Sequence, residues 1–391
     1  MFELRTFPYP YRAMLAICSD LDDTPDLATY LTISRYLNTT EMTAIGTGLG
    51  LETGNTIYFH MAPGEFSYWN TDEAGRDALH ALMRSGHIDC FHSYGDLAVR
   101  REQAGVCLEA LAANDCHPTI WVDHAVAPTN FGPDIMFGRG DIAGDPAYHA
   151  DLTLAAGVRY VWTGRVTSCL GQEVTYSPWT GLARRPDTRA ALNTAKDIAK
   201  TLRGTLGDAK YSMHAGNRLT RCVTLRDGSR ATEFIRCNPH PYGVSVGDHA
   251  AGIHEVLTRE ALSRLVTRQG YCILYTHLGK HVTPGKIFTD AAMAAFEALA
   301  DEQGRGNLLV TTTTRLLDYH QMRQKIVISQ NAPFLDVESH GQTLDGMTIY
   351  DVPEGTVLRI DGKPSLYLSN PPDHLGRTSI SLPFRRLTYP L

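Results

Sequence analysis

Along this chain, short unbroken apolar runs alternate with stretches whose apolar residues recur every three or four positions. Ala13–Ser19 (AMLAICS) is such a run, and it ends in the polar segment Ser19-Asp20-Leu21-Asp22-Asp23-Thr24. A strand-length run without polar alternation marks a strand covered on both faces. Leu27, Tyr30, Leu31 and Ser34 follow at helical spacing and predict a helix to about Tyr36. The same succession then repeats. Helices are predicted over Asp72–Ser85 (closed by Gly86), Val99–Ala113, Ala147–Ala156, Leu257–Arg268 and Thr289–Gln303. Strands are predicted over His87–Phe91, Pro118–Val122, Val158–Trp162, Tyr271–Tyr275 and Leu308–Thr312. Strand-then-helix alternation on this scale predicts an α/β fold, a parallel sheet with helices outside it.

After about Tyr319 the pattern changes. Short β-type runs at Ile326–Ser329, Thr348–Tyr350, Thr356–Ile360, Ser365–Leu368 and Thr378–Leu382 are separated by turn signals such as Asp361-Gly362 and Asn370-Pro371-Pro372. The expected division is one large domain over residues 1–320 and a small all-β, sandwich-like module over 325–391. Between Thr163 and Arg236 the pattern is weakest. There Tyr211–Cys237 predicts short strands about a turn at Asp227-Gly228. Arg184, Arg185, Arg189, Lys196 and Lys200 make a mildly basic stretch that reads as a solvated helix face.

The 391 residues carry 36 Lys and Arg against 42 Asp and Glu, a formal charge of -6. This balance gives no basic footprint for nucleic acid and no polybasic membrane patch. No apolar run approaches the ~20 residues of a membrane span. Met1–Tyr11 contains Glu3, turn signals at Pro8 and Pro10, and no apolar core of a secretion signal, so a cytoplasmic protein is expected. The eight cysteines are scattered without a CxxC pair and read as buried, reduced thiols. The 16 histidines change the picture, because several lie near carboxylates at predicted strand ends.

Four strands finish in Asp or His. The first delivers Asp20, Asp22 and Asp23; three carboxylates in four residues repel one another unless a cation or an acid–base role compensates. Capping of the following helix accounts for one of them. The second delivers His92 and, four residues on, Asp96. Trp121-Val122-Asp123-His124 ends the third, and Tyr275-Thr276-His277 the fourth. In a parallel α/β sheet the carboxyl ends of the strands are where ligands gather, so these side chains would converge on one metal site with a histidine to spare. Nucleophile-elbow, phosphate-loop and HExxH patterns are missing. Gly46–Gly54 (GTGLGLETG) lacks dinucleotide-loop spacing and reads as turns.

These features resemble the NodB-type polysaccharide deacetylases, carbohydrate esterase family 4. Ile17–Asp22 resembles that family's first motif and Gly86–Asp96 its second. Leu274–His277 resembles its late Leu-x-His, with one residue more between Leu and His, and Leu309–Tyr319 resembles the close of such domains. The resemblance spans residues 13–319 and implies a distorted (β/α) barrel. It also implies metal-dependent hydrolysis of an acetyl amide or ester on a sugar or polysaccharide, with a divalent ion, zinc by preference. The family's first motif has adjacent aspartates, one a base and one a ligand. In one register Asp20 is the base and Asp22 the ligand, and in the other Asp22 is the base and Asp23 the ligand; the first is preferred. The second motif usually has two histidines, so here either Asp96 replaces a ligand or His124 supplies the imidazole. His277 would then be the general acid, Arg165 a partner of the base, and Tyr94 and Trp121 faces for a sugar, although a core position suits Trp121 better. The alternatives are a hydrolase of a C–N bond in a small non-sugar amide and a non-catalytic glycan-binding protein.

Overall fold

The computed structural model describes residues 2–175, 187–282 and 285–391. Its main sheet contains β1 (Ala13–Ser19), β2 (Gly54–Ile57), β3 (Ile88–His92), β4 (Ile120–Val122), β5 (Tyr160–Trp162), β6 (Val166–Thr167), β7 (Thr220–Thr224), β8 (Arg230–Phe234), β9 (Arg236–Cys237), β10 (Tyr271–Thr276) and β11 (Leu308–Thr311). Ten strands follow the order β6-β9-β10-β1-β2-β3-β4-β5-β8-β7, and β11 pairs with β1. All these pairings are parallel except the β7–β8 hairpin. The sheet curls into a half-barrel. Between its strands run α1 (Leu27–Asn38), α2 (Glu73–Arg84), α3 (Arg101–Ala112), α4 (Ala150–Ala155), α5 (Thr188–Thr205), α6 (Ser212–Ala215), α7 (Ile253–Val256), α8 (Arg259–Arg268) and α9 (Asp290–Gly304), and α10 (Thr313–Lys325) follows β11. Among the described residues, no helix is long and apolar enough to cross a membrane.

The apolar runs are unbroken because both faces of each strand are covered. Met14, Ala16 and Cys18 of β1 share a buried cluster with Ile120, Val122, Trp162 and Ile273 on the concave side. Their neighbours Leu15 and Ile17 pack with Leu274 and with the helix residues Tyr36, Leu265 and Phe296 on the other side. Polar residues at the strand-to-helix turns start several helices. Asp26, Asp72, Thr258 and Thr289 each accept a bond from a backbone N–H of the first turn, satisfying a donor the helix leaves free. The helix after β1 is therefore capped by Asp26, not by Asp20, Asp22 or Asp23.

Two elements depart from the expected pattern. β2 (GNTI) lies at the end of the glycine-rich segment, and its short polar sequence carries no apolar run; pairing with β1 and β3 makes it a strand. At its first residue a Cβ on Gly54 would lie 2.6 Å from Oδ1 of Asp89, so glycine is needed for close approach. α5 buries only Ala190, Thr194 and Asp197. Arg189 and Lys196 are exposed on it, whereas Arg184 and Arg185 lie outside the described residues.

Beyond α10 two small sheets form, one of β12 (Val327–Asn331), β13 (Phe334–Glu338), β15 (Val357–Ile360) and β16 (Lys363–Pro364), the other of β14 (Thr348–Tyr350), β17 (Leu368–Asn370) and β18 (Ser379–Ser381). Leu335, Val337, Ile349, Leu358 and Ile380 from these sheets, with Leu316, Leu317 and Met322 of α10, join the cluster that fills the concave side of the main sheet. The chain's first residues belong to the same region. Leu4 bridges to Ile349, and the Arg5 guanidinium donates to Asp373, to Tyr350 and to the carbonyls of Phe7, Pro8 and Tyr11.

This shared core predicts one cooperative unit. Ile349→Ala should cost ~2–5 kcal/mol, the range for truncating a buried isoleucine. Trp69, Trp121 and Trp162 pack in the clusters of the main sheet, so their fluorescence follows that sheet. Fluorescence and far-UV circular dichroism should follow a single urea transition, displaced alike by the substitution. Two separate transitions, with only one displaced, would show that the small sheets fold independently.

Candidate metal centre

Parallel registry sets the strand ends level. Ser19 lies beside both Thr276 and Asn55, and His92 beside Val122, which in turn lies beside Trp162. Asp20, the first residue past β1, is buried and donates its N–H to the Thr276 carbonyl at 2.9 Å. Its Oδ2 accepts a 2.5 Å bond from Nη1 of Arg236 on β9. Arg236 has no exposed surface. Its guanidinium lies 4.3 Å from the centre of the Trp162 ring and 5.9 Å from that of Tyr275, so cation–π contacts replace part of its lost hydration.

Leu21 is buried and its carbonyl accepts from the Tyr58 hydroxyl, which fixes the turn that presents Asp22. Oδ1 of Asp22 lies 2.9 Å from Nε2 of His124. Its Oδ2 lies 3.7 Å from Nδ1 of His92 and 3.6 Å from Nε2 of His277. Ligand atoms of Asp22, His92 and His124 all fall within 4.8 Å of one another, as do those of Asp20, Asp22 and His277. Oδ2 of Asp22 and Oδ1 of Asp20 are buried with no hydrogen-bond partner. A buried carboxylate oxygen left this way is costly unless a cation or a proton meets it. One carboxylate and two imidazoles is a donor set suited to a divalent ion such as zinc or another first-row metal, and the residues fit one. A third group, Cys18, Asp89 and Cys90, also has ligand atoms within 4.8 Å of one another, with the two sulfurs 3.3 Å apart.

The three carboxylates of the first turn do not share one environment. Asp20 has Arg236 and Asp22 has the imidazoles. Asp23, at φ 55°, turns outward to Nζ of Lys280 at 3.0 Å. The turn is held close to the loop after β10, since a Cβ on Gly279 would lie 2.0 Å from Oγ1 of Thr24.

Two further carboxylates stand behind the histidines. Oδ2 of Asp248 is 3.1 Å from Nδ1 of His277, and its backbone carbonyl accepts the His277 N–H at 2.6 Å. Oδ1 of Asp96 is 2.9 Å from Nδ1 of His124. Asp96 is half-exposed and stands behind His124, outside the group that Asp22, His92 and His124 form. These neighbours set the charge states. Burial dominates at His92 and outweighs Asp20 and Asp22, lowering its pKa to about 4 and leaving a neutral ring. Burial also opposes charge at His124, but Asp22 and Asp96 overcome it and raise the pKa to about 10. At His277 burial is again outweighed, by Asp248, Asp20 and Asp22, and the pKa is raised. Asp22, despite burial, is held well below the usual carboxylate range by His92, His124 and His277.

Above the cluster opens a cleft of about 430 Å³, lined by Asp22, Asp23, Thr24, Tyr58, Glu65 and Asp96 among others. Tyr94 and Trp121 are not in it; both are fully buried, which corrects their assignment as sugar-binding faces. The reason is the alternation of a strand. Val122 and His92 face the concave side, so their neighbours Trp121 and Phe91 face the helices. Tyr94 packs among that same helix-side group, with its hydroxyl 2.7 Å from Oγ1 of Thr153. Asp123 points the same way as Trp121 and accepts bonds from its indole N–H and from the N–H groups of Phe131 and Gly132, so it anchors a loop. Arg165 is corrected as well. It pairs with Glu233 at 2.8 Å, and the arginine on Asp20 is Arg236. Sequence reading missed Arg236 and Asp248. Arg236 follows the β-type run Arg230–Phe234 after one residue, a visible signal; Asp248 lies in an irregular segment with none.

Two expectations follow from this geometry. Removing the guanidinium strands a buried carboxylate, so Arg236→Met should cost ~3–5 kcal/mol in urea denaturation. Asp20→Asn added to it should restore part of that loss; equal or greater loss would show that the pair is not coupled. Second, ion-free His124 carries a proton below about pH 10, stabilising the fold fully below its unfolded pKa and losing that contribution as pH rises toward 10. An ion on its Nε2 must displace that proton. Titration calorimetry with zinc at pH 7, in buffers of different ionisation enthalpy, should register release of about one proton per ion, and fewer for Asp96→Asn. No release would place the ion elsewhere.

No family model matches this chain, and neither a curated protein nor a solved structure is found to match it.

Proposed function

We propose that this protein is a metal-dependent hydrolase that removes an acetyl group from an N- or O-acetylated sugar, on a barrel of the polysaccharide-deacetylase type. One observation carries the reading. Asp20 and His277 stand together at Asp22 of the cluster, with ligand atoms of all three within 4.8 Å of one another and each backed by a partner of opposite charge. A carboxylate and an imidazole so placed can serve as base and acid at one polarised carbonyl. The barrel is supported by the double pairing of two segments, β5 with β8 and then β6 with β9, beside β10.

Asp22, His92 and His124 would hold the ion, and zinc suits their nitrogen and oxygen donors. A divalent ion there supplies a Lewis acid for the acyl oxygen and a water pKa lowered to ~7. The chain's own groups do the rest. Arg236 fixes Oδ2 of Asp20, leaving the unpartnered Oδ1 to take the proton of the attacking water. His277, whose charged form Asp248 favours, gives its proton from Nε2 to the departing nitrogen or oxygen. Thr24, Asp23, Glu65 and Asp96 offer polar partners to sugar hydroxyls at the mouth of the cleft.

Metal analysis and an acetate-release assay on N-acetylated sugars test the reading together. About one divalent ion per chain is expected, with turnover abolished by chelation. His277→Ala should lower kcat by ~10²–10⁴-fold, the usual worth of a positioned acid, with the ion retained. Normal acetate release by that variant would remove His277 from the mechanism. A metal-loaded protein inert on every acetylated sugar would overturn the deacetylase reading.

A further inference from the structure

A second cleft, of about 330 Å³, is lined by Trp162 and Tyr275, the two rings that cover Arg236. It shares no lining residue with the acidic one. The second is formed by Ile135, Met136, Trp162, Val166, Val244 and Tyr275, with a few cationic side chains at its edge. Those cations are already engaged. Arg165 is bound to Glu233 and to the Lys210 carbonyl, Nζ of Lys210 donates to the Asp134 carbonyl at 3.2 Å, and Nζ of Lys200 lies 3.7 Å from Asp197. The cleft therefore offers apolar and aromatic surface with little free charge. Through Tyr275 it also adjoins a reactive group. The Tyr275 ring is 5.0 Å from that of His277 and 5.9 Å from that of Trp162, and Trp162 and Tyr275 are the rings that cover Arg236.

We infer that this second cleft binds an acyl chain, and that the hydrolase accepts, besides acetyl, acyl groups with a medium aliphatic chain. The inference rests on the hydrolase reading above and specifies its substrate. The polarity of the two clefts assigns the ends of the molecule. The carboxylates of Asp23, Glu65 and Asp96 suit hydroxyls and a product ammonium, whereas a sugar in the second cleft would leave its hydroxyls without partners. A methyl group fills little of a space that lies in the ~300–1,000 Å³ range of small-molecule sites. In the reaction, the acyl C–N bond breaks and the water oxygen forms the new C–O bond. One water proton goes to Asp20, and the nitrogen takes its proton from His277. The products are a carboxylate in the apolar cleft and an amine in the acidic one.

The test is a chain-length series of N-acylglucosamines, from acetyl through butanoyl and hexanoyl to octanoyl, on the zinc-loaded full chain. Each methylene buried in the cleft should raise kcat/KM by about fourfold until the cleft is full. Val244→Trp, which fills the cleft, should remove that gain and flatten the chain-length series. A kcat/KM that is highest for acetyl and falls with length would overturn the inference while leaving the hydrolase reading intact. Equal losses on all four substrates in Val244→Trp would also overturn it. Turnover of none by the metal-loaded wild type would overturn both.

Discussion

A guanidinium sealed inside a protein must find a counter-ion, and among the described residues Arg236 pairs with Asp20. Both are almost completely buried, and β10 lies between the strands that carry them. Removing either partner would leave a charge without water or compensation, at a cost of several kcal/mol. The pair therefore fixes the end of β1 relative to β9, and the rings of Trp162 and Tyr275 close over it. Much of the site is arranged around this constraint. Asp20 is committed to Arg236 through one oxygen, so the next carboxylate in line to meet an ion is Asp22, beyond the buried anchor Leu21.

The acidic turn shows how repulsion among neighbours is resolved without diluting the charge. Three aspartates point in three directions, to a guanidinium, to imidazoles and to an ammonium. Each direction belongs to a different element: β9, the ends of β3 and β4, and the loop after β10. The close approach of Gly279 to Thr24 keeps that loop against the turn, so Asp22 and His277 hold their separation as a unit.

Strands and helices were legible in the sequence wherever burial on both faces left an apolar run, and β1 coincides with its expected bounds of Ala13–Ser19. The gathering of Asp20, Asp22, His92, His124 and His277 was legible too, because each directly follows or ends such a run. What was not legible depends on pairing in space. β2 is a strand through its neighbours, not its composition. The choice between Asp96 and His124 turned on which side chain reaches Asp22, and strand-side alternation sent Trp121 and Tyr94 to the helices. Arg165 and Arg236 are both plausible partners by composition; only the registry of β6 against β9 distinguishes them. That the apolar residues of the last strands fill the same cluster as the main sheet is also a matter of packing.

The distance along the chain between Asp20 and Arg236 sets an order of events during synthesis. The two are 216 residues apart, and at ~5–20 residues per second the ribosome takes about 10–40 s to supply the second after the first. Throughout that interval β1 has neither β10 nor β11 to pair with, and Asp20 has no guanidinium. The acidic turn must stay hydrated while it waits, and its cluster of like charges keeps the nascent segment from burying itself prematurely. The same carboxylates that crowd the finished site thus act earlier as a solubilising flag on its most apolar strand.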